Sequence, residues 1–215
     1  MRVDIKEALR YLGVRGEPDE QTLSLITDCV PQLMQAASFK HIALELPVEI
    51  QGETISFPGL TIVSRALARH IAGCGSALLF AATLGAGIDR LMQEFAASDL
   101  PLAAALQACA ASLLESAADE AQAEYEKPVS ARDLYFRPRF SPGYGDFSLA
   151  HQPDILRMLD AQKRIGLFCT KNNMLTPTKS ITAVIGISDR PGGVKAGCAP
   201  EGCAACDKTD CAFKK

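Results

Sequence analysis

Between about residue 100 and residue 126 the chain reads as one long alanine-rich helix, with Leu102, Leu106, Cys109, Leu113 and Ala117 on a single stripe. Asp99 or Ser98, followed by Pro101, marks its start. An apolar stripe of this kind must be covered, and small residues let neighbouring backbones approach closely, so other layers have to pack against it. Its acidic side, with Glu115, Asp119, Glu120, Glu124 and Glu126, is the face that a helix ordinarily turns to solvent.

The covering elements are of both kinds. Asp4 is placed to cap a short helix ended by Gly13, and Pro18 and Asp19 open a second with Leu23, Ile26, Val30, Leu33 and Met34 at helical spacing. Pro31 falls inside that second pattern and is expected to bend or break it. Apolar residues then alternate from Phe39 to Ile50, as in one half-buried strand, and Gly52 and Glu53 turn it into Thr54 to Phe57. Ser64 is a candidate cap for a helix that Gly73 and Gly75 stop, and Ser76 to Leu84 is a small-apolar run suited to a strand covered on both faces. Gly85 and Gly87 open another helix, whose N-terminus offers a weak anion site. Further on, Gln152 to Gln162 reads as a helix, Ile165 to Thr170 as a strand and Ser180 to Ser188 as a well-covered strand. Without regular strand-helix alternation, this order points to an α+β fold with an antiparallel sheet and surrounding helices. The expected organisation is an N-terminal helical segment (1–38), an α+β core (39–189), and a linker with a cysteine-rich tail (190–215).

With a net charge of -3 and no basic tract beyond Lys214 and Lys215, nothing points to nucleic acid. Arg2, Asp4, Lys6 and Glu7 are unlike a secretory signal, and no uninterrupted apolar run reaches the roughly 18–20 residues of a membrane span, so a cytoplasmic protein is expected. Cys29, Cys74, Cys109 and Cys169 lie scattered in apolar surroundings, as buried small hydrophobes do.

Two stretches carry chemistry. The first, Arg137 to Asp146, has two prolines and two glycines in ten residues, which excludes a regular helix or central strand. Two guanidinium groups, a phenol and a carboxylate share it, so it is either the lip of a ligand site or a surface connection between two elements. The second is the tail, where Cys198, Cys203, Cys206 and Cys211 are separated by four, two and four residues. Four thiolates in so short a segment suit zinc or an iron-sulfur cluster, with a disulfide pair or an unligated redox-sensitive tail as alternatives. His41, His70 and His151 are isolated from one another and read as surface or core-edge residues. No nucleophile motif, phosphate-binding loop or dinucleotide fingerprint is present.

Arg139, Pro142, Gly143 and Tyr144 stand in the order and spacing of the Arg-x-x-Pro-Gly-Tyr loop of the activation domain of cobalamin-dependent methionine synthase, which residues 40–190 resemble. Ala82 to Gly85 before a helix, Glu115 in the alanine-rich helix, Ser141 to Asp146, Gln152, and Pro177 to Ser180 before a strand also fit the stand-alone bacterial relatives of that domain. The resemblance implies an α+β fold that binds S-adenosylmethionine through Arg139, Ser141, Pro142, Gly143, Tyr144 and Glu115. Arg139 would pair with the ligand carboxylate, Tyr144 would line the site, and Glu115 would meet a positive charge of the ligand. The implied function is reductive reactivation of a cobalamin-dependent methyltransferase, with the cobalamin presented by a partner. That partner would be a corrinoid-binding methyltransferase or a methionine synthase lacking its own activation domain, with flavodoxin or ferredoxin as electron donor. Three departures mark this chain: Asp189 to Gly197 holds no tyrosine where the family's domain has one, the family's N-terminal ligand-contacting aspartate has no counterpart, and the cysteine tail is an addition. A non-catalytic corrinoid-protein-binding module, or a small metal or redox protein with a four-cysteine tail, are the alternatives.

Overall fold

Short acidic and hydroxyl side chains open the helices where the sequence places them. Asp4 accepts the backbone N–H groups of Lys6 and Glu7 ahead of α1 (Ile5–Tyr11), and Asp19 accepts that of Thr22 ahead of α2 (Glu20–Ala36). Ser64 accepts the Leu67 N–H at 3.0 Å at the start of α3 (Arg65–His70). The computed structural model describes residues 1–96 and 98–190. Two further helices, α4 (Ala86–Ala96) and α5 (Leu100–Ser130), follow the strand β5 (Ser76–Thr83), and α6 (Gln152–Met158) and α7 (Ala161–Ile165) come later in the chain.

The strands fall into three sheets. β1 (Lys40–Pro47), β5, β9 (Ser180–Ser188) and β6 (Tyr135–Phe136) form one, in the order β1-β5-β9-β6. The second joins β2 (Glu49–Gln51), β3 (Thr54–Phe57) and β4 (Leu60–Val63), and the third joins β7 (Phe168–Cys169) and β8 (Leu175–Thr176). The pairs β2·β3, β3·β4, β6·β9 and β7·β8 are antiparallel, so the expected α+β class with an antiparallel sheet and one long alanine-rich helix is the observed one.

Four boundaries differ from the sequence expectation, each for a local reason. α2 runs through Pro31 unbroken, and Thr27, four residues earlier, to whose carbonyl a proline cannot donate, is an exposed residue. The alternating stretch after Phe39 is two strands, because Pro47 has no N–H to continue a ladder and the Val48 N–H turns to the Gly75 carbonyl at 3.2 Å. The expected helix over 152–162 is interrupted at Asp160, which takes a left-handed conformation at φ +48°, and α7 carries helix on to Ile165, the first residue of the expected strand. α5 extends past Pro128 to Ser130, one turn beyond the expected end.

The chain divides into two compact units by its internal contacts. The first comprises Met1–Ile42, Ala81–Tyr125 and Asp160–Ile181. Its core is built on the α5 stripe, where Leu106, Cys109 and Leu113 are buried in one cluster with Ile26, Leu33 and Ile88. A side chain at Gly87 would lie 2.2 Å from the Ala36 carbonyl oxygen, so close packing of α4 on the end of α2 accounts for that glycine. α5 is long and apolar enough to cross a membrane by length and composition alone, and half of that apolar stretch is buried inside the protein. The second unit comprises, among the described residues, Ala43–Phe80, Glu126–Leu159 and residues 182–190. Ile55, Ile62, Leu67, Phe80 and Phe147 are among its fully buried side chains.

Candidate ligand-binding loop

The irregular stretch after β6 begins as a strand and is then forced off register. Tyr135 pairs with Ser188 and Phe136 with Ile187, and the Arg137 N–H reaches the Gly186 carbonyl at 2.8 Å. The next contact is the reciprocal pair Phe140 and Val184, at 3.0 and 2.9 Å. Between 137/186 and 140/184 the loop side advances by one residue more than β9 does, which is a β-bulge. Pro138, with no N–H to offer the ladder, stands in the bulge together with Arg139.

Beyond Phe140 the backbone closes on itself. The Tyr144 N–H donates to the Ser141 carbonyl at 3.0 Å, the Phe147 N–H to the Tyr144 carbonyl at 3.0 Å, and the Gly143 N–H to the Phe147 carbonyl at 2.7 Å. Gly143 takes φ +97° to complete this turn, a conformation that a side chain would oppose. The loop is then tied down by Asp146. One carboxylate oxygen accepts the Ser64 hydroxyl at 2.6 Å and the Ala66 N–H at 2.9 Å, and the other accepts the Arg65 N–H at 2.9 Å. The Ser64 hydroxyl and these backbone donors at the first turn of α3 hold the carboxyl down at about 2. Gly145 packs so closely on that turn that a β-carbon would lie 2.8 Å from Ala66 Cβ.

Aromatic rings fill the space under the loop. Phe140 lies 4.9 Å from the His70 ring, 5.7 Å edge-on from Tyr144 and 6.3 Å from Phe147, centroid to centroid. His70 Nε2 donates to the Pro138 carbonyl at 2.8 Å, which fixes the bulge from below. Burial, with a smaller contribution from the Arg137 charge, pushes the His70 pKa down despite that bond, so the ring is held neutral. Phe140 and Phe147 are buried, while Tyr144 is 48% exposed and presents its phenol at the surface.

Polar groups are left over at the loop. Ser141 is only 8% exposed, yet among the described residues its hydroxyl has no hydrogen-bond partner, and neither has the buried Arg137 Nε. A buried polar atom without a partner is uncommon in a folded protein, because its desolvation goes uncompensated. Arg137 otherwise reaches the Ser188 hydroxyl at 3.4 Å. Arg139 is half-buried and already makes an interaction within the protein. A guanidinium, a phenol and an unpaired hydroxyl on one rigid tip can receive a carboxylate and the polar edge of a small molecule.

Five of the six expected ligand residues, Arg139, Ser141, Pro142, Gly143 and Tyr144, are thus together on one loop of the second unit. Glu115 is on α5 of the first unit, half-buried, and it too has an interaction within the protein. Gln152 is buried at the start of α6, where its side-chain carbonyl accepts the Thr182 hydroxyl at 3.2 Å and so ties that helix to β9. The Pro177 to Ser180 segment belongs to the first unit; there the Ser180 hydroxyl lies 2.6 Å from the Pro177 carbonyl and 2.8 Å from the Thr83 hydroxyl. Sequence reasoning gave Asp146 and His70 no part in the loop's architecture. Asp146 was recognised as the loop's carboxylate but not as its anchor, because the donors it meets at Ser64 to Ala66 are about 80 residues away in the chain. Cys198, Cys203, Cys206 and Cys211 lie outside the described residues, and among the described residues no group of three or more His, Cys, Asp or Glu side chains is arranged to hold a metal.

No protein-family model matches the chain, and no curated protein matches it by sequence. Among solved structures, it is similar to the MetH reactivation domain bound to AdoHcy, at 16% identity and a TM-score of 0.67, over 91% of this chain and 77% of that one. The resemblance in the loop residues is therefore accompanied by a shared architecture: this chain has the fold of the MetH reactivation domain.

Proposed function

We propose that the chain binds S-adenosylmethionine at the Arg139–Tyr144 loop and serves as a reactivation subunit for a cobalamin-dependent methyltransferase of the methionine synthase type. The observation that carries this reading is the buried, unpartnered Ser141 hydroxyl beside Arg139 and Tyr144, on a loop whose backbone is fixed before any ligand arrives. The fold supports it, since the similar solved domain holds AdoHcy, which is S-adenosylmethionine without its transferable methyl group.

In this reading Arg139 takes the ligand carboxylate through two parallel N–H bonds, which fixes its direction as well as its charge. Ser141 gains the hydrogen bond it lacks, Tyr144 covers the ligand from the solvent side, and Gly143 leaves the backbone open to close approach. The partner's corrinoid, reduced by a flavodoxin- or ferredoxin-type donor, would supply the nucleophile for the sulfonium methyl. The task of this chain is to hold the sulfonium in line for transfer, which requires position and not a general base. The four tail cysteines are read as a soft-metal site, zinc or iron-sulfur, and metal analysis after anaerobic purification distinguishes these: one zinc in a colourless protein removes any electron-relay role.

Titration calorimetry with S-adenosylmethionine on the wild type and on Arg139→Ala tests the proposal. Binding by the wild type that falls at least tenfold in the variant is expected. Absence of binding by both proteins overturns it.

A further inference from the structure

Within the first unit a second concentration of reactive groups lies far in sequence from the loop. Cys29 on α2 and Cys109 on α5 are both fully buried, and their sulfurs are 3.4 Å apart. Ile26, Leu33, Leu106 and Leu113 belong to the cluster around them, so the two thiols face each other inside an apolar core. A disulfide needs the sulfurs at about 2.05 Å, and the remaining gap of about 1.3 Å lies within reach of small rotamer adjustments on two adjacent helices. Packing alone would be served by any small apolar residue at either position.

We propose that Cys29 and Cys109 are an oxidative modification site, forming a reversible disulfide between α2 and α5 when a hydroperoxide enters the core. The two thiols are unequal. The contact with Cys109 pulls the Cys29 thiol below its ordinary range against the opposing effect of burial, while the same contact and burial push Cys109 up, which makes Cys29 the better placed of the two sulfurs to attack. The Cys29 thiolate attacks one peroxide oxygen: an S–O bond forms, the O–O bond breaks, and the leaving oxygen takes up the proton that Cys29 released. The Cys109 sulfur then attacks the Cys29 sulfenic acid. The S–S bond forms, the S–O bond breaks, and water leaves with the Cys109 proton. Two thiols are oxidised, and one molecule of hydrogen peroxide is reduced to two of water. A hydroperoxide is small enough to enter a core that would exclude a bulky disulfide reagent.

The experiment treats the full-length protein with hydrogen peroxide under native conditions, blocks remaining thiols by alkylation, and maps peptides without reduction. A cross-linked pair carrying Cys29 and Cys109, lighter by two hydrogens than the separate thiol peptides, is expected. The cross-link should raise the thermal midpoint on the order of 10 °C, since it joins helices 80 positions apart, and a thiol reductant should restore the original value. Cys109→Ala should lose the cross-linked pair and the rise. Should that variant not fold, the wild-type map still decides. Recovery of Cys29 and Cys109 as alkylated free thiols after the half-buried Cys169 has been oxidised overturns the proposal, and so does a cross-link that forms only in denaturant.

Discussion

Gly145→Ala is the substitution whose consequence can be worked most fully from the loop's geometry. Two costs act there. The residue takes φ +56°, and placing a β-carbon in the left-handed region costs about 1–2 kcal/mol. The new β-carbon would also stand 2.8 Å from Ala66 Cβ, inside the 3.4–4 Å of ordinary contact, on a helix turn that cannot yield without breaking its bonds to Asp146. Overpacking of that kind costs about 1–3 kcal/mol. The sum of about 2–5 kcal/mol corresponds to a fall in Tm of roughly 4–20 °C for a chain of this size. Gly166 provides the reference: it takes φ +72° with open space where its β-carbon would go, so Gly166→Ala carries the backbone cost alone. Urea denaturation of Gly145→Ala, Ala66→Gly and the double variant completes the test, because removing the Ala66 methyl relieves the collision but leaves the backbone strain. A coupling of about 1–2 kcal/mol in favour of the double variant is expected. Additivity within about 0.5 kcal/mol, or a Gly145→Ala cost no greater than that of Gly166→Ala, would refute the proposed packing of the loop on α3.

Three other outcomes follow from the same structure. Because the Asp146 carboxyl is held at about 2, below its ordinary 3.8, its contribution is present above about pH 4 and is lost as pH falls through 2; denaturation profiles of the wild type and Asp146→Asn should converge over that interval, and parallel profiles would contradict the anchoring role. Ser141→Ala removes a hydroxyl that has no partner, so ligand-free stability should stay level or rise by about 1 kcal/mol, while affinity for S-adenosylmethionine measured by calorimetry should fall about tenfold. A loss of more than about 1 kcal/mol in Ser141→Ala would show that the hydroxyl is already satisfied. Gly87→Ala puts a β-carbon 2.2 Å from the Ala36 carbonyl oxygen and should cost about 3 kcal/mol or more, read as a drop in Tm near 10 °C; an unchanged midpoint would mean that α4 does not seat on α2 as described.

What could be read from the residues was what local chemistry decides. Asp4, Asp19 and Ser64 marked helix starts because a cap needs only a donor two or three residues ahead, and Ser180 to Ser188 was legible as a strand because its apolar run is covered along its length. The split of the first strand at Val48 was not, since the acceptor that draws its N–H away is Gly75, in a different part of the chain. Asp160 also deceived the pattern: apolar spacing continues across it, and only its left-handed backbone separates α6 from α7. β4 and β6 are short and gain their partners from β3 and β9, so neither announces itself by periodicity. The loop lay between these cases. Its prolines and glycines showed that it is irregular, but not that Pro138 creates a bulge against β9 or that Asp146 reaches α3.

Those two unforeseen features bear on how the loop would work. A flexible tip could satisfy the Ser141 hydroxyl by turning it to water, at little cost. This tip is held at one end by the Phe140–Val184 pair and at the other by three bonds to Asp146, with His70 fixing the Pro138 carbonyl just ahead of Phe140. The hydroxyl is therefore buried and unpaired because the backbone around it is over-determined. Stability lost at Ser141 is recovered when a ligand supplies the missing bond, and ordering the loop adds nothing to the cost of binding. The same rigidity explains why Gly143 and Gly145 have different tasks within one turn: the first makes the turn possible, and the second lets α3 approach closely enough to hold it. A ligand that engaged Arg139 and Ser141 together would meet a site already in place, so calorimetry of Gly145→Ala should show weakened binding even though residue 145 is not itself among the proposed ligand contacts.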